Sequence, residues 1–356
     1  MLTACLLAAG AATGAESAAA AAPQAGAEAQ VSAPKPHIDG TDITAQFNAL
    51  YDGPAHRALL GAQQKAALQR YDVLLVPGFL TGFYLQIGKF IEQTIDKKDV
   101  LNYLREAHEA LGELGVKTEQ LFLDRQQFNT QASVAVNAAR IVQAVQSSAA
   151  QGRRVILISH SKGGNDVLAA LLKLQSERKL GQVAGWISVQ AGFAGTPIAD
   201  EIMGNEALSK GAKLFIEGLG GTIDSLSDMT SEACKKTLAD HGQELRKLTR
   251  SLPIISFASW KPKPQDFQTL HPDTILAQTR DLMVSRGLNN DGLVPTTSAV
   301  LPGTAYIAKL GVDHSEVAMA NQPPVLASKL DRKKFLNVLL ALMLKRLPGP
   351  SSQRHK

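Results

Sequence analysis

The chain has 356 residues, enough for one large domain with insertions, and its 45% hydrophobic and 19% charged residues are those of a globular protein. A net charge of +5 is spread along the chain rather than gathered into a basic arm, which argues against nucleic acid as a partner. Two cysteines, Cys5 and Cys234, provide neither a disulfide framework nor a metal-knuckle spacing.

Residues 1–36 are rich in Ala, Gly, Gln and Pro and contain no Lys or Arg before Lys35, so they read as a leader and spacer rather than as core. LTAC at Leu2–Cys5 resembles the lipid-attachment box of bacterial lipoproteins. The expectation is export to the periplasm, the outer membrane or the medium, with or without membrane attachment through a lipidated Cys5; a disordered Ala-rich tail is the alternative. Glu16 and the scarcity of Leu, Ile and Phe make a membrane-crossing helix a poorer reading. The folded domain is expected over 37–350, with a tail at 351–356.

From Tyr71 onward, short apolar runs alternate with longer helical periods, the pattern of a mainly parallel sheet with helices on both faces. The predicted strands are Val73–Val76, Gln120–Leu123, Val155–Ser159, Gly185–Gln190, Ile254–Ala258 and Ala305–Leu310; they are nearly all apolar because both faces would be covered. Val134, Ala138, Ile141 and Val145 form one apolar helical stripe facing that sheet. The stretch 201–252 breaks the alternation with helical segments around Lys213–Ile216 and Cys234–Leu248, separated by Gly218, Gly220 and Gly221. It reads as a helical insertion whose glycines could hinge a lid, with an ordinary helical excursion as the equal alternative. The basic cluster Arg332, Lys333 and Lys334 reads as solvated helix surface. GLGG at Gly218–Gly221 does not complete a dinucleotide fingerprint, and no phosphate loop or HExxH occurs, so no cofactor and no metal are expected.

A serine hydroxyl is too weak an acid to attack an ester unaided, so a nucleophilic serine needs a base, an acid to orient that base and donors for the oxyanion. VILISHSKGGND at Val155–Asp166 offers the serine: a strand-to-helix elbow at Ser161, with Gly163 downstream but Ser159 where a second glycine is usual. Alone, this stretch is equally a turn. LLVPGFL at Leu74–Leu80 ends an earlier strand where an oxyanion loop belongs, so the backbone N–H groups of Phe79 and Lys162 are the candidate donors, and the Lys162 side chain is left to solvent. NNDGLVP at Asn289–Pro295 supplies Asp291 as the acid, although Asp-Gly is also a common turn pair. VDHSE at Val312–Glu316 supplies His314 as the base; Asp313 is a rival acid, but a sequence neighbour is badly placed to bond that ring. The order Ser161, Asp291, His314 leaves room for the insertion between the first two and for one strand between the last two.

These stretches, with GFAGTPIAD at Gly192–Asp200, resemble the bacterial secreted triacylglycerol lipases of the α/β-hydrolase superfamily over roughly Tyr71–Asn321. The resemblance implies the α/β-hydrolase fold with a helical lid insertion, Ser161, Asp291 and His314 as the triad, and lid movement at a lipid–water interface. It departs from those lipases at Pro77, where they have His before the glycine, and at Ser159. Glu316 stands where their calcium site has an aspartate, and no calcium is expected. The activity implied is hydrolysis of carboxylic esters, as a lipase or esterase acting on acyl lipids. Alternatives are a polyester depolymerase or acyltransferase with the same triad, and a catalytically silent lipid-binding surface protein.

Overall fold

A computed structural model of the chain describes residues 38–53, 59–79, 104–120, 128–218, 220–261, 276–318 and 330–348. The leader with Cys5, the chain after Phe79 as far as 103 and the tail lie outside the described residues, as does most of the predicted strand Gln120–Leu123.

The strands are β1 (Gly40–Asp42), β2 (Tyr71–Val76), β3 (Lys117–Gln120), β4 (Arg154–His160), β5 (Val183–Val189), β6 (Ile254–Trp260) and β7 (Thr304–Leu310). All pair in parallel, in the order β1-β7-β6-β5-β4-β2-β3. The expected mainly parallel sheet is therefore observed. β1 was missed because its sequence, Gly-Thr-Asp, is exposed and carries no apolar run; it extends the edge by pairing Gly40 with Thr304.

Side chains alternate across the sheet, and each face has its own helices. Val73, Leu75, Ile156, Ile158 and Ile187 pack with α1 (Thr44–Tyr51), α2 (Ala62–Leu68), α3 (Arg105–Glu113) and α12 (Arg332–Leu344). Phe47 of α1 anchors this layer, with its ring 5.8 Å from Phe257 and 5.9 Å from Phe335. Leu74, Val76, Val155, Leu157 and Trp186 pack with α4 (Val134–Ala150), α5 (Lys162–Ser176) and α10 (Gly242–Ser251). The predicted stripe on α4 lies here, with Ala138, Ile141 and Val145 buried. Arg332 departs from expectation: it is 6% exposed at the start of α12, with Nη1 3.9 Å from Glu106, because its helix turns this position toward the sheet. Lys333 stays outside and pairs with Glu109 and Glu113.

The helical insertion follows β5 as α6 (Pro197–Gly204), α7 (Glu206–Gly218), α8 (Asp224–Ser227) and α9 (Ser231–Asp240). These helices enclose a small core of their own, in which Ile198, Ile202, Ile216, Leu226 and Met229 pack with Met283 of α11 (Ala277–Ser285) and with Phe79. α10, inside the stretch read as insertion, instead gives Leu245 and Leu248 to the sheet-covering layer. The glycine-rich stretch is docked: Asn129 Nδ2 donates to the Gly220 carbonyl at 2.6 Å and Thr222 N to the Gln131 carbonyl at 3.1 Å. Among the described residues, no helix is long and apolar enough to cross a membrane.

The strand order reverses between β2 and β4: the chain leaves β2 for the edge at β3, then returns on the other side of β2. Helices after β2 and after β4 lie on opposite faces, which opens a crevice beyond the carboxyl ends of these strands, where α/β sheets bind ligands.

Candidate active site

Ser161 stands in that crevice, between the end of β4 and the first residue of α5, with φ 55° and ψ −135°. Such a backbone costs a non-glycine residue about 1–3 kcal/mol and persists only where its surroundings enforce it. Here Ser161 N donates to the Val189 carbonyl at 3.0 Å and Gly164 N to the Ser161 carbonyl at 2.8 Å. The two glycines after Lys162 follow from packing. A Cβ on Gly163 would stand 2.4 Å from the Pro77 carbonyl oxygen, and one on Gly164 would stand 2.3 Å from Ala191 Cβ. The elbow is thus pressed against the loop after β2, which carries Phe79.

Ser159, where the lipases have glycine, has a structural role. Its hydroxyl oxygen accepts the indole N–H of the fully buried Trp186 at 2.9 Å. Ser159→Gly, which restores the usual motif, is therefore expected to destabilise the fold by about 1–3 kcal/mol, because the buried indole donor loses its acceptor. Urea unfolding measures this as a lower midpoint at unchanged slope; an equal or higher midpoint would refute it.

His314 lies in the loop after β7, its Nε2 2.9 Å from Ser161 Oγ and its Nδ1 2.9 Å from Asp291 Oδ2. A carboxylate only accepts, so Nδ1 carries the proton and Nε2 presents its lone pair to the serine hydroxyl. Asp291 is fixed by its own turn: Oδ1 accepts Leu293 N at 3.0 Å and Val294 N at 2.8 Å, leaving Oδ2 for the imidazole. The two loops are also joined directly, by His314 N donating to the Asp291 carbonyl at 2.8 Å. Asp291 is thus both the turn residue that Asp-Gly suggests and the partner of His314.

Asp313, the rival acid, folds away from the ring. Its Oδ1 accepts Ser315 N, Ser315 Oγ and Glu316 N, while Glu316 Oε2 accepts Asp313 N at 2.7 Å. DHSE is a capping box, a signal present in the sequence but not used there. Lys261 Nζ, 3.5 Å from Asp313 and 3.3 Å from Glu316, partly offsets two buried carboxylates. Burial, then the Glu316 charge, still pushes the Asp313 carboxyl up to about 6.

The Lys162 side chain corrects the expectation of a solvated lysine. It is 1% exposed, and its Nζ pairs with Asp166 at 2.8 Å; Asn137 Nδ2 on α4 donates to the other carboxylate oxygen at 3.1 Å. Burial pushes the Asp166 carboxyl up to about 6 despite the pair. The (i, i+4) spacing was visible; burial of both partners was not. Lys162 N, at the first position of α5, has no acceptor within the helix. That N–H and the Phe79 loop belong to the same corner of the crevice.

The GTPIAD motif ties the insertion to the acid loop. Thr196 caps α6, with Pro197 as its first residue, and donates its hydroxyl to the Leu293 carbonyl at 2.5 Å. Asp200 accepts both Ser231 N and Ser231 Oγ at the start of α9. Among the described residues, no group of His, Cys, Asp and Glu is arranged to hold a metal ion. Cys234 is buried, and burial with nearby Asp228 and Asp200 pushes its thiol up to about 12, so it is inert as a nucleophile.

No protein-family model and no curated protein matches the chain. Among solved structures it is similar to the metagenomic carboxyl esterase MGS0156, with a TM-score of 0.62 at 20% identity over 78% of this chain and 77% of that one. It is also similar to the Bacillus licheniformis lipase BlEst2. The mature form gives a TM-score of 0.49 at 19% identity over 69% of this chain and 85% of that one. The propeptide form gives 0.50 at 20% identity over 68% and 46%. At such identities the likeness is one of fold. The parallel sheet, the strained serine elbow after β4 and the similarity over three quarters of both chains in the first comparison together identify the architecture: the protein has the α/β-hydrolase fold.

Proposed function

We propose that the protein is a serine hydrolase that cleaves carboxylic esters, as a lipase or esterase acting on acyl lipids. The observation that carries this reading is the chain of two 2.9 Å bonds from Ser161 through His314 to Asp291, anchored at a strained elbow. The solved structures of a carboxyl esterase and of one lipase on the same fold support it. In the proposed reaction, Ser161 Oγ attacks the ester carbonyl as its proton passes to His314 Nε2. The tetrahedral oxyanion is held by the N–H groups of Phe79 and Lys162. Collapse breaks the ester C–O bond, His314 returns the proton to the departing alkoxide, and an acyl-serine remains. Water, deprotonated by the same imidazole, then attacks the acyl carbon, the bond to Ser161 Oγ breaks as His314 returns the proton to that oxygen, and the carboxylic acid leaves. Asp291 holds the ring and stabilises the imidazolium.

Phe79, partly buried against the apolar core of α6–α9, offers an acyl group an apolar neighbour beside the elbow. We read these helices as a cap that meets substrate at a lipid–water interface. Hydrolysis of p-nitrophenyl esters of increasing chain length, combined with fluorophosphonate labelling mapped by peptide mass, tests the reading. The expected results are turnover and a single label on the peptide holding Ser161. Preference for long, emulsified chains would assign a lipase, and preference for short, soluble ones an esterase. Absence of both turnover and labelling would overturn the proposal.

A further inference from the structure

The loop that carries His314 is gripped from below by two buried side chains that the ester-hydrolysis scheme does not use. Gln190, directly after β5, donates Nε2 to the Asp313 carbonyl at 2.9 Å and also bonds Ser259 Oγ at 2.6 Å. His160, the last residue of β4, has Nε2 3.1 Å from the His314 carbonyl and 3.1 Å from Gln190 Oε1. Both of those partners are acceptors, since the Gln190 amide nitrogen already serves the Asp313 carbonyl. His160 Nε2 must therefore carry the hydrogen. Two successive main-chain carbonyls, of Asp313 and His314, thus receive one donor each from the ends of β5 and β4.

The backbone of Gln190 shows what this grip costs. Gln190 is fully buried and left-handed at φ 51°, a conformation unfavourable for a residue with a side chain by about 1–2 kcal/mol. Its N–H still donates along the β5–β6 ladder, to the Phe257 carbonyl at 2.7 Å, and the left-handed φ then turns the chain out of the sheet, with the side chain reaching across the ends of β4 and β6 to the loop. The His160 ring lies 4.7 Å from the His314 ring, inclined at 44°. Burial, then the His314 ring, holds its pKa well below the ordinary histidine value. A neutral ring can stand this close to a base that gains a proton during the reaction without opposing that charge.

We propose that His160 and Gln190 are positioning residues that set the height and tilt of the His314 imidazole over Ser161 through its main chain. This rests on the ester-hydrolase reading of the same site. Loss of either donor lets the loop shift while Asp291 still bonds the ring, so the base and nucleophile lose their alignment; a displacement near 1 Å costs on the order of 10²-fold in rate. Substrate binding through the cap is untouched.

The test compares wild type with Gln190→Met and His160→Leu, which keep approximate volume but remove the donors, and with His160→Gln and His160→Asn. Only the glutamine can bring an N–H to where Nε2 stands; asparagine places its own near Nδ1. With p-nitrophenyl butyrate, kcat is expected to fall roughly 10- to 100-fold in the two apolar variants, with KM within about twofold and fluorophosphonate labelling slowed in parallel. His160→Gln is expected to recover most of kcat, and His160→Asn to stay about tenfold below it. If the apolar variants do not fold, the glutamine–asparagine pair decides, since both are polar and of similar cost to bury. Equal kcat in that pair, or folded apolar variants with wild-type kcat, would overturn the inference. Wild type without turnover or label would instead sink the ester-hydrolase reading itself, so the two failures are distinguishable.

Discussion

Ser161→Ala is expected to lower kcat for p-nitrophenyl esters by roughly 10⁶-fold and to abolish fluorophosphonate labelling, with little change in the urea unfolding midpoint. The size of the loss follows from what the hydroxyl does. It is the atom that forms the covalent bond, and its hydrogen bond to His314 Nε2 is the route by which its proton leaves. Alanine removes both at once, while Asp291 and His314 keep their mutual bond and are left without a nucleophile to activate. Residual hydrolysis of about 10³–10⁴-fold over water would remain from oxyanion stabilisation and substrate orientation. Stability is a separate matter. The φ of 55° is imposed by the Ser161 N–H bond to Val189 and by the helix that follows, and alanine meets the same strain as serine there. Loss of activity with an unmoved midpoint therefore reports chemistry rather than unfolding. Full activity in the folded variant would show that the reacting group lies elsewhere.

Much of this arrangement was legible in the sequence, for identifiable reasons. Strands covered on both faces must be largely apolar, so β2, β4, β5 and β6 declare themselves as near-continuous runs, whereas the partly exposed β7 shows a looser one around Ile307. The elbow at Ser161 and the Asp-Gly turn at Asp291 are local devices whose residue types follow from backbone demands. The pairing of Ser161 with His314 is carried by chain order alone, since the fold brings every loop after a strand to one rim. What escaped notice depends on burial. β1 adds an edge through backbone bonds and needs no apolar side chain. Lys162 and Arg332 look like surface cations because charge is normally solvated; only the packing of α5 and α12 turns them inward. Gln190 gives no sequence signal, because its role lies in a left-handed φ and in bonds to residues far along the chain.

The buried polar groups around the elbow have a common placement. The Lys162–Asp166 pair, which Asn137 ties to α4, and the bonds of Trp186 with Ser159 and of His160 with Gln190 join neighbouring strands or helices beneath the crevice. A well-packed apolar replacement of a buried pair is often neutral or more stable, so such pairs are poor devices for stability alone. Directional bonds between elements fix positions in a way that apolar contacts do not, and the position fixed here is that of the serine and of the imidazole. The Ser159 pair belongs in the same account, since the missing glycine of the motif is the acceptor for an indole that would otherwise be unsatisfied.

Asp291→Asn is expected to lower kcat by about 10⁴-fold while leaving the fold intact, and the cause is a forced change of tautomer. In the native site Asp291 Oδ1 accepts two main-chain N–H groups, from Leu293 and Val294. An asparagine keeps those bonds only by directing its single oxygen at them, which turns its NH₂ toward His314 Nδ1. That nitrogen must then accept, so the imidazole proton moves to Nε2 and faces the Ser161 hydroxyl as a donor. The reversed amide would set its NH₂ against two main-chain donors and is disfavoured. The lone pair that should take the serine proton is gone, although every heavy atom stays within its native distance. Steady-state kinetics and the rate of fluorophosphonate labelling should fall together, with the urea midpoint little changed. Asp313→Asn is the discriminating comparison, because Asp313 bonds Ser315 and Glu316 rather than the ring and its loss acts only through the shape of the loop. Were Asp313→Asn to lose 10⁴-fold and Asp291→Asn to keep its rate, the orienting acid would have to be reassigned to the residue beside the histidine.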